Sequence, residues 1–290
     1  MRYRTVERVL PAHALDMGGI QVYQPLPTQR VDQIDPFLLL HHFGPVEVAP
    51  GGPDPMDVGP HPHRGIEPVT FLYRGGMRHH DSRGNTGYLR GGDVQWMTAG
   101  MGIIHSERSS KEFLEAGGTL EGIQLWVNLA PDRKMVQPRY QDVKSAEIPV
   151  VDLGGGARLR VVAGRYGAAA GVVKTHGAVQ AWQLELPAGS GVDLEVPAGH
   201  NVAAYLLDAG VATQSGLPNP ARTLLAYRDD GEALRLEGPA GGTARVLILT
   251  GEPIGAPVVS HGPYVMNSQT EVLQAMRDYG MGKMGFYVEE

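Results

Sequence analysis

The chain has 290 residues, 25 basic side chains against 31 acidic ones, and no cysteine. That length holds about two domains of ordinary size. The net charge of −6 does not suit a nucleic-acid-binding face, and the missing cysteine excludes disulfides, thiol nucleophiles, iron–sulfur clusters and thiolate-bound zinc.

The longest apolar runs, such as residues 37–40 and 246–249, are far too short to span a bilayer. Residues 1–7 lack an apolar signal core, so a soluble, cytoplasmic protein is expected. Forty glycines and 22 prolines fit short strands joined by tight turns. In chain order, residues 68–74 form an apolar stretch that stops at Gly75-Gly76, and Gly91-Gly92-Asp93 opens another at 94–97. Ile103-Ile104 runs into His105, and residues 122–129 alternate apolar with polar before Pro131. None has helical length or period, so the first half reads as an all-β sandwich or barrel.

Residues 130–150 turn polar and make the best linker candidate. The β pattern resumes at 159–162, 181–186, 192–196, 202–207 and 246–249. Two β units of similar length suggest an internal duplication, with residues 1–137 in one and 138–290 in the other. Near the end, Ser268 and Glu271 have capping-box spacing. Val272, Leu273, Met276 and Tyr279 follow at helical spacing, and Gly280 suits the position after a helix. A short C-terminal helix over 269–279 is expected.

Histidine is the most informative residue type. Of eleven, seven lie between residues 41 and 105. His61-Pro62-His63 puts two imidazoles on one face of an extended strand, and Pro62 suggests an edge or irregular pairing there. His105-Ser106-Glu107 repeats the spacing with an imidazole and a carboxylate. Two neighbouring strands carrying such pairs would converge three nitrogens and one carboxylate on a point. That is a divalent transition-metal site with open positions. The plainer reading is two surface strands that happen to carry histidine, since H-x-H alone is a weak signal. Glu67, four residues after His63, shares its parity on an extended strand and is a further candidate.

In their surroundings these residues carry a resemblance. The segments HPHRGIE at 61–67, GDVQWMTAG at 92–100 and GIIHSE at 102–107 resemble the metal motifs of cupins, and more closely those of the pirin family of bicupins. Residues 35–40, 251–255 and 262–267 fit the same pattern, so the resemblance covers most of the chain. It implies two tandem cupin (double-stranded β-helix) barrels. The N-terminal barrel would hold one metal through His61, His63, His105 and Glu107, and the C-terminal barrel would be metal-free. Glu67, a ligand position in many other cupins, ranks second. Such a ligand set suits Fe(II) first, with Ni, Cu, Mn, Co or Zn compatible.

His41-His42 take a structural reading first and an approach to the barrel mouth second, His79-His80 a strand-end reading first and support of the ligands second, and His176, His200 and His261 are isolated and structural. Ile103 shares parity with His105 and Glu107 and is expected to line the cavity. Phe71, Tyr73, Trp96, Met101 and Trp126 are walls or core, and residues 50–57 a rim loop or a connector. Resemblance to pirins further implies quercetin 2,3-dioxygenase activity. In that reaction the flavonol 3-hydroxyl binds as its anion, O2 adds, the heterocycle opens and carbon monoxide leaves. Glu107 is the candidate base, with Glu67 as the alternative. The expected ligands are a small hydroxylated aromatic and O2, and the expected state is a monomer. The alternative function is non-catalytic: an iron-dependent regulatory cofactor that binds transcription factors or metabolic enzymes. The negative charge argues that it would act through proteins, with no direct nucleic-acid contact.

Overall fold

The computed structural model describes residues 1–17 and 20–289. Strands dominate it, and no helix among the described residues is long and apolar enough to cross a membrane. The chain forms two compact units from interleaved segments. One comprises Met1–Ala14, Tyr23–Leu38 and Ala146–Pro253; the other comprises Leu15–Val22, Leu39–Ser145 and Ile254–Glu290. These units do not follow a single cut after residue 137, and strand pairing is the reason. Val6–Pro11 lies antiparallel to Thr223–Tyr227, and residues 254–290 belong with the histidine-bearing unit. The stretch 130–150 is more than a linker, because Arg139–Val143 is a strand paired with Val94–Thr98.

Within each unit, most strands lie in one sheet of seven and one of four. In the histidine-bearing unit the smaller sheet runs Val58–His63, Ile103–Ser109, Gly76–Asp81, Thr86–Arg90. The larger is centred on Ile66–Arg74 and Gly118–Asn128, which pair antiparallel. The first seven residues of Ile66–Arg74 are buried, so its polar members need partners inside. Thr98 Oγ1 donates to Glu67 Oε1 at 2.7 Å, and Thr70 Oγ1 donates to Glu107 Oε1 at 3.3 Å. The other unit shows period-two burial: along Gly191–Glu195 only Val192 and Leu194 are buried. They join a core with Trp182, Leu184, Val246 and Ile248.

The C-terminal helix spans Gln269–Gly280, one residue beyond the expected end. Ser268 caps it by accepting from the Glu271 amide, and the Glu271 carboxylate accepts from the Asn267 amide and the Ser268 hydroxyl. The buried stripe is Val272, Ala275 and Asp278, whereas Leu273, Met276 and Tyr279 are exposed. The apolar spacing therefore located the helix but misjudged its inner face. The reason is an ion pair. Arg64, 3% exposed, donates from Nη1 to Asp278 Oδ2 at 2.9 Å and from Nε to the Met101 carbonyl at 2.6 Å. Lys134, equally buried, donates to the carbonyls of Gly65 and Val265, both at 2.9 Å, and to Asn128 Oδ1 at 2.6 Å. These cations tie the segment after residue 254 to the turn that follows His63.

Removing one partner of a buried ion pair leaves the other charged and dry, so Asp278→Leu is expected to destabilise the protein by about 3–5 kcal/mol. Combining it with Arg64→Met should recover most of that loss in chemical denaturation. Hydrogen bonds from Lys283, then Arg64 and Gln274, hold the Asp278 carboxyl down to about 2. Its stabilising contribution is present above the ordinary carboxylate range and is lost as pH falls toward 2. Acid titration of wild type and Asp278→Asn, followed by melting temperature, should show the difference shrinking over that interval.

Candidate metal centre

Strands Val58–His63 and Ile103–Ser109 are antiparallel neighbours, with His105 opposite His61 and Ile103 opposite His63. Directly opposed residues share a face, and so do residues two apart on one strand. The pairing therefore brings the three imidazoles together. Ring centroids lie 4.9 Å apart for His61 and His63, 4.4 Å for His61 and His105, and 5.1 Å for His63 and His105. One nitrogen from each falls within 4.8 Å of the other two, so the trio could hold a metal ion. The strand ends at His63, and the turn that follows contains Gly65, whose φ of 82° is left-handed. A side chain there would collide with the Val265 carbonyl oxygen.

The donor chemistry fits a cation. His61 Nδ1 is 2.9 Å from the Gly59 carbonyl. A carbonyl only accepts, so Nδ1 carries the hydrogen and Nε2 is left with a lone pair. His63 and His105 are both 1% exposed, and none of their four ring nitrogens makes a hydrogen bond of good geometry, though the Pro263 backbone weakly favours the His63 N–H. Burial, and then the neighbouring His61, push both rings well below the usual histidine range. Each is held as the neutral imidazole that coordinates metal.

Glu107 is not in the group whose ligand atoms converge, but it lines the same cavity as His61 and His63. A β-bulge between His105 and Glu107 sets it opposite Val58, and such a bulge re-aims a side chain. Its Oε1 accepts from Thr70, and its Oε2 accepts from Gln124 Nε2 at 2.9 Å. Glu107, His61 and His63 line one cavity of about 400 Å3 together with His41, Gln124 and Trp126. Burial lowers His41 to about 4, so it too is neutral near pH 7.

The other predicted residues are distributed as follows. Glu67 does not line this cavity; the turn at Gly65 interrupts the strand, and parity with His63 does not carry across it. Ile103 does not line it either, and packs instead with Met97 and Ala99. Phe71 and Trp96 are fully buried core, whereas Trp126 is a wall that meets His63 edge-on at 5.2 Å. Of residues 50–57, Met56 reaches the cavity, and Asp54 pins the loop by accepting from the amides of Met56 and Ser109. His42 meets Glu121 at 3.3 Å, His79 meets Asp142 at 3.5 Å, and His80 meets Thr86 at 2.7 Å. In the other unit His200 pairs with Thr250 at 3.1 Å. Sequence reasoning missed Thr70 and Gln124, and it ranked the cavity position of His41 below a structural role. Neither Thr70 nor Gln124 lies on a strand that carries a histidine, so no H-x-H or H-x-E spacing marks them.

Two sheets per unit and a three-histidine centre define a double cupin with one candidate metal site among the described residues. The family model described as Pirin matches residues 19–127, and that of the pirin C-terminal cupin domain matches residues 181–285. A Pseudomonas aeruginosa protein named "Putative quercetin 2,3-dioxygenase PA2418" is 44% identical over 86% of this chain and 86% of its own length. Pirin-like protein 2 of Arabidopsis thaliana is 36% identical over 97% of this chain and 85% of its own. A solved structure of quercetin 2,3-dioxygenase from Acinetobacter baumannii superposes with a TM-score of 0.92 at 35% identity, covering 98% of this chain and 99% of that one. The chain belongs to the pirin family.

A metal bound to the native centre and not to the unfolded chain stabilises by mass action. Apoprotein titrated with Ni(II) or Fe(II) is expected to take up one equivalent and to melt several degrees higher. His63→Ala and His105→Ala should lose both effects, and His176→Ala and His200→Ala should keep both. Elemental analysis and thermal melts with and without chelator check this, and two tight equivalents per chain would contradict it.

Proposed function

We propose that this protein is a metal-dependent dioxygenase that opens the heterocycle of flavonols with O2, using Fe(II) as the first candidate metal. The ligands in this reading are His61, His63, His105 and Glu107. One observation carries it: a cavity walled mainly by apolar side chains is lined by Glu107 and by two members of the three-histidine group, His61 and His63. The printed names of the Pseudomonas and Acinetobacter relatives support the same chemistry.

When bound, the metal supplies Lewis acidity and a template for the deprotonated flavonol hydroxyl. Glu107 takes the hydroxyl proton. The Thr70 hydroxyl and the Gln124 amide, one on each carboxylate oxygen, fix its orientation toward the cavity. Trp126 and Phe43 flank the planar ligand body, and the apolar walls keep water from the reacting edge. In this reading the other unit is metal-free, which its interior of Trp182, Leu194 and Ile248 favours.

Glu107→Gln keeps the shape and the three imidazoles but loses the proton acceptor. Flavonol oxidation per bound metal is expected to fall about 10²–10⁴-fold, with metal occupancy reduced far less. Glu67→Gln, whose partner is Thr98, should stay near wild type. If Glu67→Gln is the inactive variant, the two roles are exchanged. If metal-loaded wild type does not consume flavonol in air, the dioxygenase reading fails.

A further inference from the structure

We infer that the site selects flavonol-type ligands whose hydroxyl groups are confined to the chelating edge, and discriminates against those hydroxylated on the ring that enters the cavity. This rests on the flavonol reading above and narrows its substrate class. The polar side chains of the cavity are His41, His61, His63, Glu107 and Gln124. His61 and His63 belong to the metal group, Gln124 is engaged with Glu107, and both Glu107 oxygens already accept hydrogen bonds. His41, the remaining polar side chain, is itself not without a partner, and the other four are assigned to the reacting edge.

The remaining walls are apolar. Ile20, Val22, Phe43, Met56 and Met77 are each between 3% and 6% exposed and belong to one hydrophobic cluster backed by Leu72 and Leu89. Gly122 makes room for this wall, because a Cβ there would strike the Phe43 ring. Met17 and Val58, at 51% and 37% exposed, mark where the cavity meets water. A ring hydroxyl emerging there stays hydrated. One pressed against the methionine and aliphatic wall loses water and meets no donor or acceptor. A site with no partner for a buried hydroxyl binds the hydroxylated ligand roughly tenfold or more weakly. The methionines tolerate varied apolar outlines, so shape is the looser criterion and polarity the stricter one.

The test is equilibrium binding under nitrogen to Ni(II)-loaded protein, read by quenching of tryptophan fluorescence. The probes are 3-hydroxyflavone, whose only hydroxyl is the chelating one on the heterocycle, and quercetin, which also has hydroxyls on both outer rings. 3-Hydroxyflavone is expected to bind at least tenfold tighter. Met77→Gln places a hydrogen-bonding amide of similar length in the wall and should shrink that ratio toward one; Met56→Gln is the second variant should the first fold poorly. Equal or tighter binding of quercetin to wild type overturns the inference while leaving the flavonol reading intact. So does a ratio unchanged in folded Gln variants, since the preference would then owe nothing to the wall. If neither compound binds the metal-loaded protein, the flavonol reading falls and this inference falls with it.

Discussion

A buried polar atom without a partner costs a fold about 1–3 kcal/mol, and His63 and His105 together carry four such nitrogens. Three imidazoles drawn together also disfavour protonation of one another, so the rings stay neutral. A divalent cation would take one lone pair from each ring, and the opposite N–H of each ring is left to the surrounding chain. The surrounding chain must hold the rings in this unfavourable arrangement before any cation arrives. Much of the histidine-bearing unit can be understood as the means of doing so.

Strand periodicity divides that labour between two faces. On the inner face stand His61, His63 and His105. The alternate residues Arg64, Ile104, Ser106 and Arg108 are each engaged by the segment after residue 254. Arg64 meets Asp278, and Ile104 packs with Tyr264, Ala275 and Met284. Ser106 shares a 2.6 Å hydrogen bond with Tyr287, and Arg108 donates to Glu289 at 2.7 Å. Polar groups flank the ligands in sequence, yet they work from the opposite side of the sheet. The chain's last helix and tail thereby belong to the metal-bearing unit, although over a hundred residues of the other unit separate them in sequence.

The extent to which this was legible follows from the range of the forces involved. Period-two patterning and glycine-rich turns are local, so the all-β class and most strands could be read directly. The capping box at Ser268 located the helix to within a residue. The histidine pairs were also legible, since residues two apart share a face whatever the rest of the chain does. Long-range choices left no such mark. The exchange of terminal segments between units depends on pairing of Val6–Pro11 with Thr223–Tyr227, which no local pattern announces. The inner face of the helix turned on a charge that hydrophobic spacing counts as outward. Glu67 illustrates a broken rule: parity with His63 holds only on unbroken strand, and Gly65 breaks it.

Comparing the interiors of the two units shows what a site demands of a barrel. In the other unit the inner faces meet in one continuous apolar core, with Trp182 filling its bulk among Leu184, Leu194 and Ile248. In the histidine-bearing unit the apolar residues divide into separate clusters, one behind the cavity wall and another around Met97, Ala99 and Ile103. A cavity of about 400 Å3 forfeits dispersion contacts along its whole lining. That loss argues for compensation at fixed points rather than throughout, and the buried cations Arg64 and Lys134 are such points. Both are fastened around the turn after His63. The rigidity that packing would supply is here supplied by charge, applied beside the ligands and outside the space that a substrate must enter.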